Sequence, residues 1–154
     1  PNSYYVNQYD NLHNRNTHYT WTAPEMWEQT GGEFDTFIAT VGTGGTITGC
    51  GMYFKEKDPS KKIVGVDCEG SIVKEFAETG KMGKAYSYVL EGVGEDFIPE
   101  NYDFDKIDTV SALVVRLCFG AVIMMMWDNP LPNDQVLYTS HTSNLLVQGV
   151  ACQL

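Results

Sequence analysis

The residues best suited to chemistry in this 154-residue chain are Gly42, Thr43, Gly44, Gly45 and Thr46, which follow the apolar run Phe37-Ile38-Ala39-Thr40-Val41. Glycine leaves no Cβ between a ligand and the main chain, so several N–H groups can converge on one oxyanion. Threonine hydroxyls add donors, and a helix starting in the loop turns the positive end of its dipole toward the same point. The combination is a phosphate cradle that needs no cationic side chain. A nucleotide P-loop would end in Gly-Lys-Ser/Thr, which is absent, and a dinucleotide fingerprint breaks at Ile47, where its third glycine belongs. Asp67, at the end of the next β-branched run, still stands where a ribose-binding acid would, so an NAD-binding oxidoreductase is the first rival reading.

The remaining reactive side chains form weaker patterns. Glu91, Glu95 and Asp96 flank a second glycine turn, Gly92-Val93-Gly94, where acids are expected to be solvated or capping rather than catalytic. His13, His18 and His141 show no metal-ligand spacing and are expected to be polar surface residues. Cys50, Cys68, Cys118 and Cys152 form no Cys-x-x-Cys pair, which suits free thiols in a reducing compartment. Met124, Met125 and Met126 are consecutive and cannot converge on one ion from a regular element, so no metal site is assigned. A formal charge of −10 repels nucleic acid and anionic membrane faces, and 43% apolar residues suit one globular domain.

To present the loop, the sequence needs a strand before it and a helix after it. Asp35 to Val41 has the character of a buried strand, and Thr46 to Lys57 reads as a helix with Ile47, Cys50 and Phe54 on one face, ended by Asp58-Pro59. Lys62 to Asp67 is a second β-branched run, giving a β-α-β unit with parallel strands. Gly49 and Gly51 each lower the helix's intrinsic stability by about 1 kcal/mol against alanine, which points to close packing of helix on sheet. Upstream, Thr22 before Ala23-Pro24-Glu25 predicts a helix start and Gly31-Gly32 its stop, while residues 1–19, rich in asparagine, predict an irregular surface with at most one short element. Downstream, a helix over Ser71 to Glu78 and a short strand over Tyr86 to Leu90 are expected, with the two glycine turns facing each other at strand ends. Val110 to Trp127 is apolar at fifteen of eighteen positions, with Arg116 its one charge. It is shorter than the roughly 20 residues of a membrane span, and a central arginine costs about 2.5–3.5 kcal/mol, so a buried core element is expected.

Taken in order, Pro1-Asn2-Ser3, Asn7-Gln8-Tyr9-Asp10-Asn11, Val41 to Gly49, Ile63 to Ser71 and Glu91 to Pro99 resemble the motifs of the cystathionine β-synthase and cysteine synthase group of fold-type II pyridoxal-phosphate enzymes. The resemblance covers about residues 1–108 and implies an α/β partial domain, tryptophan synthase β-like, with a parallel β-α-β core; residues 109–154 would be a divergent tail. It implies that Gly42, Thr43, Gly44, Gly45 and Thr46 hold the phosphate of pyridoxal 5′-phosphate. It also implies that Gly92 and Gly94 bring main chain close to the cofactor and bound amino acid, with Gln8 and Tyr9 near the substrate. The implied reaction is β-replacement, in which the thiol of homocysteine takes the place of serine's hydroxyl and the hydroxyl leaves as water. Cysteine synthases run it with an activated serine and sulfide, and Glu91 to Pro99 looks closer to the cystathionine branch. Small amino-acid substrates, a homo-oligomer and a cytoplasmic setting follow from the same resemblance. The group's Schiff-base lysine lies upstream of the part matching Pro1, whereas all eight lysines here, Lys55 to Lys106, follow the loop. No catalytic residue is therefore assigned, and the chain is expected to be part of a longer protein and inactive alone. A non-catalytic interaction module docking through Val110 to Trp127 is the alternative from a different class.

Overall fold

A computed structural model describes residues 2–88, 90, 92–113 and, as strand backbone, 136–139. Helix begins well before Thr22. Helix α1 (His13–Thr17), a π-turn (His18–Thr22) and helix α2 (Ala23–Thr30) run on without a break, and Thr22 has helical φ −65° and ψ −48° with no capping bond. The start is set by Asn11, whose Oδ1 accepts from the His13 N–H at 3.1 Å. The wide turn has a local cause: Pro24 has no N–H to offer the previous turn, and the Ala23 N–H reaches back five residues to the His18 carbonyl. The irregular surface expected up to Tyr19 is thus corrected from His13 onward, while the predicted stop holds, Gly31 closing α2 at φ 62°.

Strand β1 (Thr36–Thr40), helix α3 (Gly45–Lys57) and strand β2 (Lys62–Cys68) form the expected unit, the strands parallel with Thr36 opposite Lys62 and Thr40 opposite Val66. Helix α4 (Val73–Thr79) follows. Strand β3 (Thr109–Leu113) lies parallel on β2, and strand β4 (Val136–Thr139) lies parallel on the other side of β1, in the order β3-β2-β1-β4. The start of β3 is pinned by Asp108, whose Oδ2 accepts from the Ile63 N–H at 2.7 Å and whose Oδ1 accepts from the Lys55 ammonium at 2.8 Å. The strand expected over Tyr86 to Leu90 does not form: Tyr86, Ser87, Tyr88 and Leu90 belong to none. The outer edge of β2 is taken by β3, and the Tyr86 N–H bonds the Gly70 carbonyl at 3.0 Å, past the end of β2. Val110, in β3, is buried, so the apolar run begins as core; its continuation from 114 and the methionine triplet lie outside the described residues. Among the described residues no helix is long and apolar enough to cross a membrane.

The core lies between β1 and α3, where Phe37, Val41, Ile47, Cys50 and Phe54 are all 0–1% exposed. Burying Phe54 alone contributes about 2–3 kcal/mol. Its ring centroid lies 4.9 Å from Phe34 and 5.2 Å from Phe37, and it stacks on Trp27 at 6.2 Å. The buried Lys61 ammonium covers this cluster 5.0 Å from Phe34 and 5.6 Å from Trp27, and donates to the Gly32 carbonyl at 2.9 Å. The two helical glycines pack differently. A Cβ at Gly51 would meet Ile63 of β2 at 3.3 Å, as helix-on-sheet packing requires, whereas one at Gly49 would overlap the Arg15 carbonyl and His18. Gly49 therefore admits the N-terminal helix, which corrects the expectation that both face the sheet.

Candidate functional site

Strand β1 ends at Thr40 and α3 begins at Gly45, so the loop turns within four residues. Gly44 makes the turn at φ 79°, and its α-carbon rests on the Tyr102 ring, where a Cβ would come within 2.8 Å of ring carbons. Tyr102 is nearly buried and its hydroxyl donates to the Gly42 carbonyl at 2.8 Å, making it the floor of the loop. The first backbone bond of α3 runs from the Thr48 N–H to the Gly44 carbonyl at 3.1 Å, so the N–H groups of Gly45, Thr46 and Ile47 have no partner one turn back within the helix. The half-buried hydroxyls of Thr43 and Thr46 stand beside them. Thr43 Oγ1 accepts from Asn14 Nδ2 at 3.2 Å and from the Gly45 N–H at 3.5 Å. Thr46 Oγ1 is hydrogen-bonded to His18 Nε2 at 3.2 Å, and His18 Nδ1 to Thr22 Oγ1 at 3.0 Å.

The second glycine turn faces the first, as expected. Gly92 and Gly94 both take φ 78°, the Gly94 N–H donates to the Val41 carbonyl at 2.6 Å, and a Cβ at Gly42 would lie 3.1 Å from the Gly92 carbonyl. A Cβ at Gly94 would strike Cys68 Sγ at 2.5 Å and Ser71 Cβ at 2.6 Å, so only glycine fits there. Glu91 lies outside the described residues.

Gln8 and Tyr9 arrive through a turn in which Asn7 takes φ 52°, a left-handed conformation asparagine tolerates, and the Asn11 N–H bonds the Asn7 carbonyl at 2.8 Å. Asn14 Nδ2 donates to the Gln8 carbonyl at 2.9 Å. Asn101, fully buried, donates to the carbonyls of Gln8 at 2.9 Å and Tyr9 at 2.5 Å. The Tyr9 ring meets Phe97 edge-on at 5.1 Å, and its hydroxyl lies near the Glu95 carboxyl. The structure thus joins the segment around Gln8 to the Gly42–Thr46 loop through Asn14.

Electrostatics separate the acids. Burial pushes the Glu95 carboxyl above its ordinary range, aided by Asp96 and opposed by the Tyr9 hydroxyl. The Glu95 charge in turn raises the Tyr9 phenol, with burial second. Asp67 is raised by burial, although its oxygens accept from the N–H groups of Cys68 at 2.8 Å and Lys74 at 2.9 Å. Both Asp67 oxygens are engaged inward and the residue is 1% exposed, which removes it as a ribose ligand and with it the basis of the dinucleotide reading. An open groove of about 470 Å³, lined by Ala85, Tyr86, Ser87, Tyr88 and Asp96, runs beside the second glycine turn and includes none of the residues from Gly42 to Thr46.

Four residues at the site carry no usable signal in the sequence: Asn14, His18, Asn101 and Tyr102. His18 is half-buried against the loop rather than on an open surface, which corrects its reading; His13 is exposed and His141 lies outside the described residues. Cys50 and Cys68 are buried thiols, with Cys68 Sγ donating to the Val93 carbonyl at 3.0 Å and burial pushing Cys50 up to about 12. Among the described residues no group of His, Cys, Asp or Glu could hold a metal ion.

A family model described as "Pyridoxal-phosphate dependent enzyme" matches residues 1–126. The chain is 45% identical over 108 residues to the cystathionine beta-synthase of Mus musculus, covering 70% of this chain and 19% of that protein. It is 41% identical over 113 residues to the O-acetylserine dependent cystathionine beta-synthase of Bacillus subtilis, covering 71% and 34%. Among solved structures, a cysteine synthase from Entamoeba histolytica superposes with a TM-score of 0.68 at 33% identity, covering 82% of this chain and 36% of that one. A hydrogen sulfide-producing enzyme from Fusobacterium nucleatum gives 0.69 at 25% identity, covering 82% and 41%. The chain spans about a fifth of the length of the mammalian relatives and about a third of the bacterial one. With its α/β fold and a family match over most of its length, the chain belongs to the pyridoxal-phosphate-dependent enzymes.

Proposed function

We propose that Gly42 to Thr46 hold the phosphate of pyridoxal 5′-phosphate, and that the chain serves a β-replacement reaction on an amino acid, serine and homocysteine giving cystathionine. The observation that carries this reading is the donor set at the carboxyl ends of β1 and β2. The N–H groups of Thr46 and Ile47 have no partner one turn back within the helix, and the hydroxyls of Thr43 and Thr46 stand near them at a glycine turn packed against Tyr102 and Asn14. Such a set suits a phosphate monoester. When bound, the cofactor supplies an electron sink through which a β-substituent leaves and a thiol replaces it. The chain's own residues bind and orient: Gly42, Gly92 and Gly94 let main chain approach, Gln8 and Tyr9 face the amino acid, and the Glu95 carboxyl lies near the Tyr9 hydroxyl. The ammonium groups of Lys55, Lys57, Lys61 and Lys74 are engaged with Asp108, the Tyr53 ring, the Gly32 carbonyl and Glu78. All eight lysines follow the loop and none stands at the group's Schiff-base position, so the chain by itself is expected to hold the cofactor without a covalent link and to turn over no substrate.

Mixing the purified chain with pyridoxal 5′-phosphate tests this. Saturable binding displaced by inorganic phosphate, with no borohydride-fixed adduct at one lysine, is expected. Binding no tighter than that of unphosphorylated pyridoxal sinks the phosphate assignment, and conversion of serine and homocysteine to cystathionine sinks the claim of inactivity. The likeness to a cysteine synthase structure supports a second reading, replacement by sulfide on an activated serine.

A further inference from the structure

We infer that Asn14 is a positioning residue that aims the Thr43 hydroxyl at the phosphate and couples phosphate occupancy to the Gln8–Tyr9 segment; this rests on the phosphate assignment above. A primary amide has two N–H hydrogens, and Asn14 has an acceptor for each: the Gln8 carbonyl at 2.9 Å and Thr43 Oγ1 at 3.2 Å. The opposite amide orientation would set Asn14 Oδ1 against the Gln8 carbonyl oxygen, so the network fixes the orientation. Asn14 Oδ1 packs over the α-carbon of Gly45, in the space a Cβ would need.

The consequence falls on Thr43. Its oxygen already accepts from Asn14 and from the Gly45 N–H at 3.5 Å, so what it has left to offer is its own O–H. A hydroxyl held in that way donates outward, toward an anion at the start of α3. One nitrogen thus bridges the phosphate loop and the substrate-side turn. An anion drawing on the Thr43 proton polarises Thr43 and strengthens the Asn14 bond behind it, which steadies the Gln8 carbonyl. On the far side that carbonyl is held by Asn101 at 2.9 Å.

The test uses the full chain, with pyridoxal 5′-phosphate and inorganic phosphate as probes. Asn14→Asp keeps the shape but makes position 14 an acceptor, so that Thr43 donates to it instead; affinity for both probes is expected to fall about a hundredfold. Asn14→Leu and Thr43→Val each lower it about tenfold, and the double variant is no weaker than either single one, because both remove one donor. Amide hydrogen exchange supplies a readout that mere structural damage would not move. In the wild-type chain inorganic phosphate slows exchange at Asp10 and Asn11 severalfold, and in Asn14→Leu or Thr43→Val it does not. If the wild-type chain binds neither probe, the phosphate assignment fails and the inference with it. If the wild-type chain binds and Asn14→Asp binds equally well, or the two single effects simply add, the inference alone is overturned. Should the Asn14 variants fail to fold, Thr43→Val decides: slowing that persists without its hydroxyl overturns the coupling.

Discussion

Along α3 the first seven residues include Gly45, Gly49 and Gly51, whereas the next six include Tyr53 and Phe54. The glycines of the first half meet main chain and short polar groups, the Arg15 carbonyl and Asn14 among them, while Ile47 and Cys50 between them join the core. The aromatic half meets Trp27, Phe34 and Phe37, capped by the Lys61 ammonium. Glycine near the site costs helix stability and supplies no apolar area to bury; the aromatic half offsets that loss a turn or two away. On the proposed reading, the loop's donors serve binding and the aromatic cluster serves stability, so substitutions of the one and of the other should register in different measurements.

The strongest way to break this comparison is Phe54→Ala. It should cost about 4 kcal/mol in a denaturant titration and leave phosphate affinity of the surviving folded fraction unchanged. An affinity loss equal to that of a loop variant would mean that the halves are not separable. Gly49→Ala comes next. Helix propensity alone predicts a gain of about 1 kcal/mol, but a Cβ there overlaps the Arg15 carbonyl, a backbone atom that can move only with its helix, so a net loss of about 3 kcal/mol is expected. A stabilised variant would show that α1 packs more loosely than described. Thr46→Val should reduce phosphate affinity about tenfold while shifting the unfolding midpoint little, since the hydroxyl is only half-buried.

The smallest effect is set by pH. The Glu95 carboxyl keeps its proton to higher pH in the folded chain than in the unfolded one, whose ordinary value is 4.5. The penalty is absent below that value, grows as pH rises toward the higher folded value, and is complete above it. Glu95→Gln, which can still accept from the Tyr9 hydroxyl, should raise Tm at neutral pH and leave it unchanged well below the ordinary value. The same Tm difference at both pH values would rule out this linkage.

The β-α-β unit was legible because its two strands are short runs rich in apolar and β-branched residues and the helix between them ends at Asp58-Pro59. The N-terminal helix was not, because asparagine and threonine favour turns when judged locally, and what overrides them is tertiary. Asn14 is occupied by the Gln8 carbonyl and Thr43, and Asn101, distant in sequence, holds the turn before the helix. Tyr86 to Leu90 has the composition of a strand, yet strand formation also needs a free edge, and that edge belongs to β3. At the site, the glycine loop announced itself through composition. His18 did not, since a π-turn that follows from Pro24 decides which way it faces.

Strand order also bears on the sequence of assembly during synthesis. Thr36 of β1 pairs with Lys62 on one side and with Val136 on the other, so one partner is made 26 residues later and the other 100. Closing the longer loop costs about 1.2 kcal/mol more in chain entropy, a modest difference. The larger consequence is one of timing. When β2 and β3 have been made, the β1 edge that pairs with β4 still awaits that partner, and an unpaired edge is a template for other extended segments. The place beside β1 is therefore filled last, by Val136 to Thr139.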